Sequence, residues 1–172
     1  MQSPEALTVL GQMVAQADRV LQPLLDMPLT LLHGDYWEGN LLRDEDGDLV
    51  VFDWQSAAIG PGVLDLVVMA TTGAWERATL PLPPEAMAER YRAEVAARLG
   101  VRWSDTAWST FWDHALLWRF LQETLSWVAG APRRAFAPRA AEFERVWLKP
   151  VLAAAGRRLA PLYAFDQTLL GL

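Results

Sequence analysis

Four residues combine types and spacing that chemistry can use: His33, Asp35, Asn40 and, thirteen positions beyond Asn40, Asp53. A carboxylate such as Asp35 can orient a hydroxyl and accept its proton. Asn40 and Asp53 offer an amide oxygen and a second carboxylate to a hard divalent cation. A cation held by only one or two protein oxygens keeps positions for phosphates and water, as Mg²⁺ does. Those are the needs of phosphoryl transfer from ATP, where the protein supplies position and charge stabilisation rather than covalent chemistry.

The elements around these residues are predicted to bring them together. Asn40-Leu41-Leu42-Arg43 and Leu49-Val50-Val51-Phe52 read as short strands, and Asp46-Gly47 between them is a tight-turn signal. Such a hairpin places Asn40 at the start of one strand beside Asp53 at the end of the other. The acidic run Asp44, Glu45, Asp46 and Asp48 reads as solvated loop. His33 on its own reads as a satisfied core histidine. Asp65 opens a helix-like run, where capping or pairing with the helix dipole is the plain reading.

Composition bounds the rest. The chain has 172 residues, 52% hydrophobic and 21% charged, which is the balance of one globular domain or lobe. It has no cysteine, which excludes disulfides, thiolate metal sites and a thiol nucleophile. A net charge of −6 argues against nucleic acid as partner. No apolar run is long enough to span a membrane, and no basic-apolar leader opens the chain. A cytoplasmic setting, where ATP is available, is expected.

Ser3-Pro4-Glu5 starts a helix predicted to run toward Leu25. Pro28 precedes a strand, Leu29-Thr30-Leu31-Leu32. Ile59-Gly60-Pro61-Gly62 reads as a turn, and Val63 to Thr72 as a buried helix stopped by Gly73. Leu80 to Pro84 reads as a linker, with a helix from Pro84 to a stop at Gly100. Ser104-Asp105 caps a long helix ending near Gly130. Pro132 to Pro138 reads as a loop carrying Arg133 and Arg134, followed by a helix from Arg139 to Ala155 kinked near Pro150, and a short last helix is expected after Gly156. The chain has nine tryptophans. Trp108, Trp112 and Trp118 on the long helix read chiefly as core. A sharper reading has some of these rings, with Asp113 or Glu123, line a pocket for an ammonium group.

Three ordered blocks resemble one family. They are Leu31-Leu32-His33-Gly34-Asp35-Tyr36-Trp37-Glu38-Gly39-Asn40-Leu41-Leu42, then Val51-Phe52-Asp53-Trp54-Gln55, then Gly60-Pro61-Gly62-Val63-Leu64-Asp65-Leu66. In this order and spacing they resemble the aminoglycoside phosphotransferase and choline kinase superfamily. The resemblance implies that Asp35 is the catalytic base or hydroxyl-orienting carboxylate. It implies that Asn40 and Asp53 bind Mg²⁺ and, through it, the co-substrate ATP. His33 and Asp65 would support the loop, Asp65 by accepting backbone hydrogen bonds.

Kinase-type enzymes clamp ATP under a second lobe with a Gly-rich cover and a lysine. The 32 residues before His33 hold no lysine, and Lys149 is the chain's only one. The expected fold is therefore mostly α with a small β-hairpin: a protein-kinase-like C-terminal lobe with the N-terminal nucleotide lobe absent. Residues 1–28 would form a leading helix, 29–62 the catalytic loop, hairpin and metal-binding segment, and 63–172 a helical acceptor-binding subdomain. The expected function is ATP-dependent transfer of the γ-phosphoryl group to a small-molecule hydroxyl, weak without an N-terminal lobe or a partner in trans. The alternative is a non-catalytic binding module derived from such a kinase. An uncovered lobe face would favour self-association.

Overall fold

A computed structural model describes residues 4–76, 82–130 and 137–159. It is mostly helical, with two small antiparallel sheets of two strands each. The expected linker at 80–84 falls partly outside the described residues, as do most of the 132–138 loop and the chain beyond 159.

The leading segment is three pieces rather than one helix. Helix α1 spans Pro4–Ala15 and α2 spans Ala17–Leu21. Between them Gln16 turns away at φ −114, while Gln16 N–H and Val20 N–H still bond four residues back. Residues Gln22–Asp26 then tighten into a 3₁₀ turn. Pro23 lacks the N–H that would continue an α-helix. Met13, Val20, Leu24 and Met27 point from this segment into the core.

Strand β1 (Leu29–Leu32) leads into the loop of interest, and β2 (Leu41–Arg43) pairs with β3 (Leu49–Val51) as the hairpin. Asn40 lies just outside β2, in a 3₁₀ turn over Glu38–Asn40. The expected turn at 59–62 is instead a strand, β4 (Ala58–Pro61), which pairs with β1 in the register Leu29↔Pro61 and Leu31↔Ile59. Pro61 is tolerated because it ends an edge strand. Gly60 packs closely under Leu32, whose Cδ1 would lie 2.7 Å from a Cβ at that position.

Helix α3 (Val63–Glu76) does not stop at Gly73. A mid-helix glycine costs about 1 kcal/mol. Here a buried face of Val63, Leu64, Val67, Val68, Ala70, Thr71 and Trp75 carries the helix past it. Helix α4 (Pro84–Leu99) ends at Gly100, in the left-handed region at φ 67. Helix α5 (Asp105–Arg119) begins at Ser104, whose Oγ accepts the Ala107 N–H at 3.1 Å. It continues through a π turn at Phe120–Thr124 into α6 (Leu125–Gly130).

The last segment runs through α7 (Ala140–Phe143), a π turn at Glu144–Leu148 and α8 (Lys149–Arg158). The expected kink near Pro150 takes the form of that π turn, in which Lys149 N–H bonds Glu144 O. Helices α3, α5 and α8 meet around Val67, Leu117, Phe120, Val151 and Ala154. His114 Nδ1 bonds Val20 O at 2.9 Å and ties α2 to α5. Asp113 accepts from Arg157 Nη2 at 2.7 Å and Arg158 Nε at 2.8 Å, tying α5 to α8. Among the described residues, no helix is long and apolar enough to cross a membrane.

Candidate active site

The loop from His33 to Asn40 is held by side chains from α3 and α5 and by two of its own residues. Asp65, in the first turn of α3, accepts the backbone N–H of His33 at Oδ2 (2.7 Å) and of Gly34 at Oδ1 (2.9 Å). These are charge-assisted bonds, stronger than neutral ones. Tertiary folding thus uses Asp65 on the loop in addition to its place at a helix start.

His33 is 2% exposed and spans the loop and hairpin. Its Nε2 lies 2.8 Å from Phe52 O, and its Nδ1 accepts the Asp35 N–H at 3.2 Å. Only the tautomer with the proton on Nε2 satisfies both bonds. The ring also packs against Trp54, with centroids 4.7 Å apart. His33 therefore connects the residue before Asp53 to the backbone of Asp35.

Gly34 takes φ +84, and a Cβ there would stand 2.1 Å from Ser56 O. No other residue type fits that backbone and that space. Its carbonyl accepts from Arg119 Nη2, at the end of α5. Arg119 also bonds Glu123 Oε1 at 2.6 Å.

Asn40 is buried, and its Nδ2 donates to both Asp35 O (2.8 Å) and Asp35 Oδ2 (3.0 Å). This fixes the amide so that Oδ1 is the free end, with no hydrogen bond among the described residues. Asp35 Oδ1 is likewise free. Phe52 N–H donates to Asn40 O at 3.2 Å, so the hairpin ladder extends one pair and sets Asp53 next to Asn40. Asp53 is the one non-glycine with positive φ among the described residues, at φ 63. Its exposed carboxylate makes no hydrogen bond or ion pair among those residues. A non-glycine held in the left-handed region commonly marks a functional position.

The donor set can be tested against Mg²⁺. Asn40 Oδ1 and Asp53 provide two hard oxygens with no competing partner, which fits an ion that takes its other ligands from phosphate and water. No group of three or more His, Asp or Glu suited to a metal occurs among the described residues.

Burial pushes the Glu123 carboxyl up. Arg119 opposes that push, while Asp35 and Asp65 add to it. A cavity of about 720 Å³ lies behind the loop. His33, Tyr36, Trp54 and Asp65 form one side of it and Tyr91 of α4 another. Asp35, Asn40 and Asp53 are not in its wall.

On the tryptophan helix, Trp108 and Asp113 follow the core reading. Trp108 is buried and stacks with both Trp103 and Tyr91. Both oxygens of Asp113 are taken by arginines, so this carboxylate is a core tie rather than a ligand. Arg119 was not legible as a loop contact in the sequence. It lies 85 positions from Gly34, in a helix whose other residues read as core.

The chain carries this braced loop between two short antiparallel sheets. The model of the APH phosphotransferase enzyme family matches residues 2–103, and the chain belongs to that family. A solved choline/ethanolamine kinase family protein from Mesorhizobium loti is similar at 19% identity, with a TM-score of 0.38 over 90% of this chain and 52% of that one. The chain thus spans about half the length of that protein. None of the curated proteins matches the chain.

Proposed function

We propose that this chain is the C-terminal lobe of an ATP-dependent phosphotransferase that acts on a hydroxyl of a small molecule, in a cytoplasmic setting. The observation that carries this reading is the arrangement of free oxygens. Asp35 Oδ1, Asn40 Oδ1 and the Asp53 carboxylate lack partners among the described residues, while every bond around them is spent on holding them still.

Each residue has one task. Asp35 orients the acceptor hydroxyl and takes its proton through Oδ1. Asn40 and Asp53 would hold Mg²⁺, with Asn40 aimed by its two bonds to Asp35. His33 and Asp65 keep the loop in register. Bound Mg²⁺ and ATP would supply the phosphoryl group and neutralise its charge. Residues 29–62 would form the catalytic and metal-binding segment, 1–28 its leading support and 63–172 the acceptor-binding part.

The lobe reading is supported by exposed apolar side chains on the outer face of the β1–β4 sheet. Leu29, Leu31 and Ile59 are 61%, 59% and 70% exposed. A nucleotide-covering lobe, or a partner in trans, would bury that face. The test is transfer of labelled γ-phosphate from ATP to a panel of alcohols, with this chain and with one extended upstream through any continuous reading frame. Transfer should fall about 10²–10⁴-fold in Asp35→Ala. Transfer that survives this change would sink the assignment of Asp35.

A further inference from the structure

We propose that Arg119 is a positioning residue for Asp35, acting on the peptide unit between Gly34 and Asp35 and held in place by Glu123. The proposal rests on the role given to Asp35 above.

That peptide unit is gripped at both ends. Its carbonyl accepts from Arg119 Nη2, and its N–H donates to His33 Nδ1 at 3.2 Å. The torsions on either side of this plane, ψ of Gly34 and φ of Asp35, aim the Asp35 carboxylate. Glycine is the residue least able to fix such a torsion itself. Asp65 restrains the two preceding N–H groups and leaves the Gly34 carbonyl to Arg119, its one side-chain donor among the described residues.

The way Arg119 is buried favours a positional role over a stabilising one. Its side chain is 8% exposed, and its Nε is a buried donor without a partner among the described residues. An orphaned buried donor is costly, and an apolar side chain of similar volume often serves stability better than a buried charge. What the guanidinium provides is the contact of Nη2 with the loop.

Glu123 orients that contact. Its Oε1 bonds the same Nη2 at 2.6 Å, from the π turn that begins directly after Arg119. Such turns insert extra backbone into a helix and change the direction in which side chains leave it, often at functional sites. Glu123 also feels the charges of Asp35 and Asp65, which places Arg119 as the cation among three carboxylates.

The test uses amide hydrogen exchange by NMR on this chain in Arg119→Met, Arg119→Lys and Glu123→Gln, with Mg·ATP hydrolysis by the same variants of the chain extended upstream through any continuous reading frame as a parallel readout. Arg119→Met should speed exchange of the Asp35 amide about tenfold to a hundredfold, the loss expected for one charged hydrogen bond. Amides of α3 and α8 should keep their protection. Arg119→Lys, which retains a donor, should restore part of it, and Glu123→Gln should fall between. Hydrolysis should lose kcat in the same order with KM for Mg·ATP unchanged.

Wild-type exchange at Gly34 and Asp35 in a folded Arg119→Met protein would overturn the proposal. Should that variant fail to fold, unaltered Asp35 exchange in Glu123→Gln would overturn it equally. A loss confined to KM would also contradict it. Exchange decides the positioning claim by itself. An absence of hydrolysis in the wild type extended upstream through any continuous reading frame would count against the phosphotransferase reading and leave the clamp standing.

Discussion

Asp65→Asn separates two roles for one carboxylate by size of effect. Asp65 accepts two backbone N–H groups, at 2.7 Å and 2.9 Å. An asparagine can accept one of them, but its NH₂ then faces the other. One charge-assisted bond is lost and one donor is stranded, a cost of about 2–4 kcal/mol. For a chain of this length that lowers the melting midpoint by about 5–15 °C. Were Asp65 only a helix-start carboxylate, the loss would be about 0.3–1 kcal/mol, or a few degrees. The assay is thermal unfolding by near-UV circular dichroism, with urea unfolding to check that the slope is unchanged. A shift of only a few degrees would refute the brace and leave helix pairing as the role of Asp65.

Gly34→Ala places a Cβ 2.1 Å from Ser56 O at φ +84, so about 2–6 kcal/mol of overpacking and backbone strain should appear in a urea curve followed by tryptophan fluorescence. Asp53→Gly relaxes the left-handed backbone at φ 63 and should gain about 1 kcal/mol of stability. The same change should remove Mg²⁺-dependent nucleotide binding, a trade of stability against function. His114 is buried, and burial is the main cause that holds its pKa below the ordinary 6.5. The folded protein then resists protonation that the unfolded chain accepts. Stability should be full above the unfolded value and fall as pH drops through 6.5 toward the lowered folded value. Urea midpoints between about pH 5 and 8 should show this slope in the wild type and not in His114→Gln.

Local signals in the sequence carried far, and long-range pairing did not. The hairpin, the Gly100 stop and the Ser104 cap were legible because each rests on neighbours within a few residues. β4 was not, because Gly60-Pro61-Gly62 has the composition of a turn and its strand partner, β1, lies far upstream, with Leu32 opposite Ala58 and Leu29 opposite Pro61. The break at Gln16 has no proline or glycine to announce it. The π turn at Phe120–Thr124 lies inside a run that is helical by local measure, whereas the one at Glu144–Leu148 is followed directly by Lys149-Pro150. Within the site, the sequence placed Asp35, Asn40 and Asp53 in one region through the hairpin alone. It could not show that Arg119 reaches Gly34 or that Arg157 and Arg158 occupy Asp113. Those contacts join residues 85, 44 and 45 positions apart.

The central claim is that Asn40 and Asp53 bind magnesium-bound ATP beside Asp35. The most direct measurement is calorimetric titration of ATP, with and without Mg²⁺, into the chain extended upstream along its reading frame, wild type and Asp53→Ala. The account predicts Mg²⁺-dependent binding in the wild type and its loss in Asp53→Ala. Equal affinity in the two proteins, or no binding by the extended wild type, would contradict it.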